Sequence, residues 1–162
     1  MGLFKKLLGK DDATSKIFSP LVGTVVSLSD VNDPVFAEEM MGKGAAVIPT
    51  VGQVFAPCDG EVVTVFRTLH AVTIKADSGA EMIIHVGLET VSLDGQYFEA
   101  HVADGEKIKK GDLLLTFDLD QIKAAGFDIV TPIVITNSAD YDQVDKTKKK
   151  EVSNKDLLIS LA

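Results

Sequence analysis

From Ile17 onward the chain alternates short apolar runs with clusters of Gly, Pro, Asn and Asp. Runs of four to eight residues rich in Val, Ile, Thr and Phe, bounded by such clusters, are the sequence form of β-strands. They predict strands at 21–28, 45–49, 62–66, 71–76, 81–86, 113–117 and 133–136. One interior helix is predicted at 120–125, with Asp120 as its N-cap and Gly126 as its stop. Many short strands with turn signals between them predict an all-β fold, an antiparallel sandwich or barrel-like domain. The stretch VADGEKIKKGDLLLTFD (102–118), with turns at Gly105 and Gly111, reads as hairpin geometry.

A repeat supports that fold class. FSPLVGTVVSL (18–28) aligns with FAPCDGEVVTV (55–65), and Phe, Pro, Gly and the paired Val coincide at an offset of 37 residues. One match is too few for a solenoid and suits a duplicated β-unit closing on itself. The first ten residues, MGLFKKLLGK, have a different texture. At about 100° per residue, Leu3, Phe4, Leu7 and Leu8 share one arc while Lys5, Lys6 and Lys10 share the other. This is the pattern of weak contact with anionic lipid, and equally that of a short frayed terminus. The expected organisation is a flexible, amphipathic segment over 1–16 and a single domain over 17–162.

Composition narrows the function classes. Sixteen basic against 24 acidic residues leave a net charge of −8, which argues against a nucleic-acid surface built on clustered cations. Lys146, Lys148, Lys149 and Lys150 are a local exception, read as a solvated loop or edge. No apolar run reaches the ~18 residues of a membrane-spanning helix. The single cysteine, Cys58, allows no internal disulfide and fits a reducing compartment. The expected location is the cytoplasm, with residues 1–10 as a peripheral contact at the inner face of the membrane.

The chain has no P-loop, GxGxxG, CxxC or GxSxG motif. What remains is a histidine pair. In HAVTIKADSGAEMIIHV (70–86) two β-type runs flank Asp77-Ser78-Gly79, the composition of a hairpin. A two-residue Asp77-Ser78 loop sets His70 opposite His85, and a Ser78-Gly79 loop sets them on a diagonal of one face. A three-residue loop puts them on opposite faces, because side chains alternate with period two. Two adjacent imidazoles resist being charged together, and burial or a neighbouring cation lowers their pKa, leaving free lone pairs near pH 7. Such a nitrogen attacks a phosphoryl group or binds a metal. A purely structural pair is the competing reading, and spacing alone does not choose. His101, in EAHVAD, reads as an ordinary surface or strand histidine. Asp33-Pro34-Val35-Phe36 and Phe66 place apolar side chains near turns, as a docking surface or a core edge does, with Asp33 and Glu89 as acidic neighbours.

TLHAVTIKADSG (68–79) and IIHVGLETV (83–91) are two specific motifs, accompanied in order and spacing by SPLVGTVVSLSDVNDPVF, DGEKIKKGD, LLLTFDLDQIKA and TPIVITN. With these motifs, between residues 17 and 137, the chain resembles enzyme IIA of the glucose class in the bacterial phosphoenolpyruvate-dependent sugar phosphotransferase system. The resemblance implies a β-sandwich with a shallow apolar depression around both histidines. It implies that His85 is phosphorylated on Nε2 by the phosphocarrier protein HPr. It also implies that His70 hydrogen-bonds the phosphoryl group with support from Thr68, and that phosphate passes to a cysteine of a IIB domain and on to sugar. Asp33 and Glu89 match acidic rim positions, and Val35, Phe36, Phe66 and Val91 match the apolar partner surface. No metal or cofactor is obligatory, though His70 and His85 with a partner's carboxylate would bind zinc weakly. Regulatory binding to non-transport proteins occurs in some relatives. The chain departs from the family at Leu69, where some relatives are polar, at Glu89, where Asp is frequent, and after Asn137, where the match is loose. Its N-terminal segment resembles that of free-standing members, so a separate IIA protein is expected.

The alternative is a zinc metallopeptidase of the lysostaphin type, on a related duplicated β fold. That chemistry wants three protein ligands and its family carries an HxH pair. The residues two places after His70, His85 and His101 are Val72, Gly87 and Ala103, so the pair is absent. A biotinyl- or lipoyl-like carrier, suggested by VADGEKIKKGD, needs a lysine at a hairpin tip, and Asp77-Ser78-Gly79 has none.

Overall fold

Strands covered on both faces cannot alternate polar and apolar residues, and two segments here are apolar almost throughout. Every residue of TPIVI (Thr131–Ile135) is buried, as are five of the seven in KGAAVIP (Lys43–Pro49). A computed structural model, which describes residues 15–162, places both at the centre of a large sheet. The strands are β1 (Ser15–Phe18), β2 (Gly23–Val26), β3 (Lys43–Pro49), β4 (Gln53–Phe55), β5 (Gly60–Val65), β6 (Ala71–Ala76), β7 (Glu81–His85), β8 (Phe98–Ala100), β9 (Lys107–Ile108), β10 (Leu113–Phe117), β11 (Thr131–Ile135), β12 (Val144–Lys146), β13 (Glu151–Val152) and β14 (Leu157–Leu161). Two short helices, α1 (Pro34–Ala37) and α2 (Leu119–Ala124), accompany them. All pairings are antiparallel. The large sheet runs β13-β2-β3-β11-β7-β6-β5-β9, and two three-stranded sheets run β4-β10-β8 and β1-β14-β12.

The centre of the large sheet is covered on both faces. On one, Val47, Val72, Ile84 and Ile133 meet Leu114, Leu115, Leu158 and Ile159 from the small sheets. On the other, Ala46, Ala71, Ile83 and Val134 meet Leu28, Val31, Phe36 and Leu88. Successive residues such as Ala71 and Val72, or Ile83 and Ile84, divide between the two clusters, as the pleat requires. The second cluster is covered by α1 and a short 3-10 turn at Leu28–Asp30, and the histidine pair lies at its edge.

The duplicated unit is visible in the hydrogen bonds. The Phe18 N–H donates to the Pro57 carbonyl at 2.9 Å, and the Phe55 N–H donates to the Pro20 carbonyl at 2.8 Å. These bonds exchange under the repeat, as a two-fold relation demands. Gly23 and Gly60 open β2 and β5, and a Cβ on them would lie 2.0 and 2.3 Å from the Ile48 and Lys75 carbonyl oxygens. The relation reaches further than the repeat found in the sequence. The Ala56 N–H donates to the Asp112 carbonyl at 2.7 Å and the Ser19 N–H to the Asp156 carbonyl at 2.8 Å. Asp112 Oδ2 accepts from the Lys109 N–H and Asp156 Oδ2 from the Ser153 N–H, each at 2.8 Å. IKKGDLLL (108–115) and VSNKDLLI (152–159) are therefore a second duplicated segment, with β9 on β5 and β13 on β2.

Several expectations need correction. Residues 102–118 are not a hairpin: β9 pairs with β5, while β10 lies between β4 and β8. Helix α2 starts one residue earlier than predicted, and its N-cap is Asp118, whose carboxylate accepts from the Gln121 N–H at 3.0 Å. A second helix, α1, was not predicted; Asp33 caps it and Pro34 occupies its first turn, where a missing N–H costs nothing. Ser15 and Lys16 belong to β1 rather than to the N-terminal segment, whose amphipathic pattern lies outside the described residues. Residues 138–162, loose in the family resemblance, form β12–β14, with β14 central in its sheet. Among the described residues no helix is long and apolar enough to cross a membrane.

Candidate functional site

The β6–β7 hairpin pairs Ala71 with His85 and Lys75 with Glu81. The Ala76 N–H donates to the Ala80 carbonyl at 2.8 Å and the Gly79 N–H to the Ala76 carbonyl at 2.9 Å. The loop is thus the three residues Asp77-Ser78-Gly79, with Gly79 at φ +103°. Of the three registers the sequence allowed, the three-residue loop forms and neither two-residue loop does. Strict alternation would then separate the histidines, yet their ring centroids lie 4.7 Å apart at an interplanar angle of 87°.

The reason is that His70 precedes β6 and escapes its pleat. Leu69, at φ +63°, reverses the chain in a turn closed by the Leu69 N–H on the Phe66 carbonyl at 2.7 Å. The Phe66 N–H bonds the Ala71 carbonyl at 3.0 Å, and the Val86 N–H bonds the His70 carbonyl at 2.8 Å. A left-handed conformation costs a side chain about 1–2 kcal/mol. Leu69 offsets it by packing into the main core, near Gly95.

His85 Nδ1 lies 2.8 Å from the Gly87 carbonyl oxygen. A carbonyl only accepts, so Nδ1 carries the proton and Nε2 keeps the lone pair. His70 Nδ1 lies 2.8 Å from the Thr68 hydroxyl. The Phe36 ring sits 5.1 Å from that of His85, and Phe66 stands edge-on to His70 at 5.5 Å. Burial, reinforced by His85, lowers the His70 pKa to about 4. Burial also lowers that of His85, against the Gly87 hydrogen bond and the Asp33 carboxylate, which favour the charged ring. Both rings are neutral at pH 7.

Of the residues the resemblance assigns to the partner surface, Val35 (39% exposed), Val91 (52%) and Glu89 are exposed and Phe66 is half-buried. Asp33 caps α1 through Oδ1, 3.0 Å from the Val35 N–H. Phe36 corrects an expectation: only 4% exposed, it forms the floor under His85 rather than a surface for a partner. A cavity of about 450 Å³, bordered by Asp33, Leu88, Glu89, Phe127 and Asp128, opens beside the site. A larger depression of about 670 Å³, lined by Tyr97, Glu99, Thr116 and Asp118, contains neither histidine of the pair. His101 is exposed and bonds Thr116 at 2.9 Å through Nε2. Among the described residues no three His, Cys, Asp or Glu side chains converge as metal ligands, which leaves a metallopeptidase short of its ligand set. Gly87, whose carbonyl orients His85, was not among the residues singled out from the sequence. The Gly two places after a histidine was the available signal.

The family described as "phosphoenolpyruvate-dependent sugar phosphotransferase system, EIIA 1" matches residues 15–141. The glucose-specific EIIA component of the phosphotransferase system from Bacillus cereus is 48% identical over 147 residues, 90% of this chain and 89% of that protein. The β-glucoside-specific EIIBCA component of Bacillus subtilis is 47% identical over 146 residues. That match takes in 90% of this chain and 24% of the relative, so the chain spans about a quarter of that longer protein. Among solved structures, glucose permease IIA from Mycoplasma capricolum aligns with a TM-score of 0.84 at 36% identity, covering 91% of this chain and 95% of that one.

Proposed function

The chain belongs to the EIIA family of the phosphoenolpyruvate-dependent sugar phosphotransferase system, and we propose that it carries the phosphoryl group on Nε2 of His85. The observation that supports this most is the Nδ1–Gly87 hydrogen bond, which leaves a neutral lone pair on Nε2 beside a second neutral imidazole. The donor is phospho-HPr. As the Nε2 lone pair forms the new N–P bond, the bond from phosphorus to the donor atom breaks and its electron pair leaves with HPr. Transfer onward to a IIB cysteine forms P–S, and the pair of the broken P–N bond returns to Nε2. The metallopeptidase alternative has no support from a family of phosphotransferase components.

Phosphoryl transfer has a loose transition state, so positioning and charge stabilisation supply most of the catalysis. If the Thr68 hydroxyl donates to His70 Nδ1, the His70 Nε2–H is free to donate to a phosphoryl oxygen. Phe36 and Phe66 hold water away from the intermediate. Val35, Phe66 and Val91 supply the apolar contact, and Asp33 and Glu89 meet cationic side chains of the partner. Such rim charges raise on-rate and specificity more than affinity. The interface is small and transient, and regulatory proteins that bind this chain would use the same face. His70 and His85 offer two ligands to zinc if a partner adds a carboxylate. The working location is the cytoplasmic side of a sugar permease, with residues 1–10 as a weak membrane contact.

The test uses enzyme I, HPr and phosphoenolpyruvate, read by intact mass. The wild type gains one phosphate and His85→Ala gains none. His70→Gln still gains it but passes it on slowly. A phosphate on His85→Ala would sink the assignment.

A further inference from the structure

Thr90 is fully buried, polar and unused by the mechanism above. It opens the 3-10 turn Thr90–Leu93, just after the loop that follows β7. Its hydroxyl donates to the Val86 carbonyl at 2.5 Å. Its methyl fills the space beside Gly87, where an added Cβ would come 2.7 Å from Thr90 Cγ2 and 3.0 Å from the Asp128 carbonyl oxygen. From the other side the Leu88 N–H donates to that same Asp128 carbonyl at 2.9 Å. Residues 86–88 are thus gripped before, at and after Gly87, which sits at φ +75°.

What this loop presents is the Gly87 carbonyl, which accepts the proton on His85 Nδ1 at 2.8 Å. The Gly87 carbonyl shares its rigid peptide plane with the Leu88 N–H, held by Asp128, while the plane before it carries the Val86 carbonyl, held by Thr90, so the two bonds together set its direction. We propose that Thr90 is a positioning residue for His85: it aims the Gly87 carbonyl and so keeps the ring proton on Nδ1 and the lone pair on Nε2. The geometry stands by itself, and its consequence for phosphoryl uptake rests on the carrier reading.

The two arms of Thr90 separate by substitution. Thr90→Val removes the hydroxyl and keeps the branched shape, whereas Thr90→Ser keeps the hydroxyl. In the full chain, imidazole ¹⁵N NMR reports the tautomer of His85, with His85→Gln supplying the assignment. Phosphoryl uptake from phospho-HPr reports the consequence. The wild type is expected as a single Nδ1–H tautomer. Thr90→Val is expected to show a mixture of tautomers and to take up phosphate about tenfold more slowly, the scale of a small misplacement at a reacting centre. Thr90→Ser is expected to keep the wild-type tautomer and rate. A wild-type tautomer in folded Thr90→Val overturns the proposal, as does a mixture in Thr90→Ser. Should Thr90→Val not fold, Thr90→Ala, which adds no bulk, takes its place under the same criteria. If the wild type takes up no phosphate, the carrier reading fails while the tautomer comparison still decides the role of Thr90.

Discussion

Leu69 shows how much can hang on one dihedral. At φ +63° it turns His70 out of the strand pleat and toward His85, across a register that would otherwise part them. The pair then titrates as buried neighbours do. Between the ordinary histidine value of 6.5 and the value of about 4 for His70, the unfolded chain binds a proton that the folded chain refuses. Stability therefore falls as pH drops through that window. Thermal melts from pH 7 to 4 should show a steeper loss of melting temperature for the wild type than for His70→Gln, which removes this titration. Cys58 behaves in the opposite sense: burial first, then Asp59 and Asp77, pushes its thiol up to about 12. A thiol reagent at pH 8 should leave Cys58 unmodified in the native protein and label it once denaturant unfolds the chain. The identity of the two histidines was legible in the sequence, because motif and spacing are local. The proton position on His85 was not, since it depends on a carbonyl whose direction the whole 86–90 loop decides.

Among the elements, the predicted strands at 71–76 and 113–117 coincide with β6 and β10, and the others lie within a few residues of observed strands. Short partners such as β9 and β13 escaped notice, because two residues carry no periodicity to read. The hairpin between β6 and β7 was legible, but its loop length was not. Asp77-Ser78-Gly79 suits several turns, and the three-residue form with Gly79 in the left-handed region prevailed. Glycines distinguish crowding from dihedral strain. Gly60→Ala, which drives a Cβ to 2.3 Å from the Lys75 carbonyl oxygen, should destabilise by about 2–3 kcal/mol. Gly79→Ala meets nothing within 4 Å and should cost only the left-handed conformation, about 1 kcal/mol. Urea unfolding of both variants checks the order. Asp118→Ala should cost about 1 kcal/mol as an N-cap loss, and Asp120→Ala should not show that loss.

For the whole molecule, an acidic chain of net charge −8 should meet its phosphoryl donor through local charge complementarity at the rim. Asp33→Asn combined with Glu89→Gln should slow phosphoryl uptake from phospho-HPr several-fold at low salt, with a smaller difference at high salt, where screening is stronger. Stopped-flow rates at two ionic strengths would show it, and equal ratios at both would refute it. Propensities and short motifs are written locally, so the β class, the duplicated unit and the motif that points to His85 and His70 could be read along the chain. Folding in three dimensions revealed that the duplication includes IKKGDLLL and VSNKDLLI, whose matching bonds to Ala56 and Ser19 join segments far apart in the chain. It also decided that Phe36 lies beneath the site and not on its surface, since burial is set by what packs above a residue. The pairing of the two rings belongs here as well. Alternation along β6 and β7 would have separated them, and a left-handed Leu69 anchored in the core brought them together.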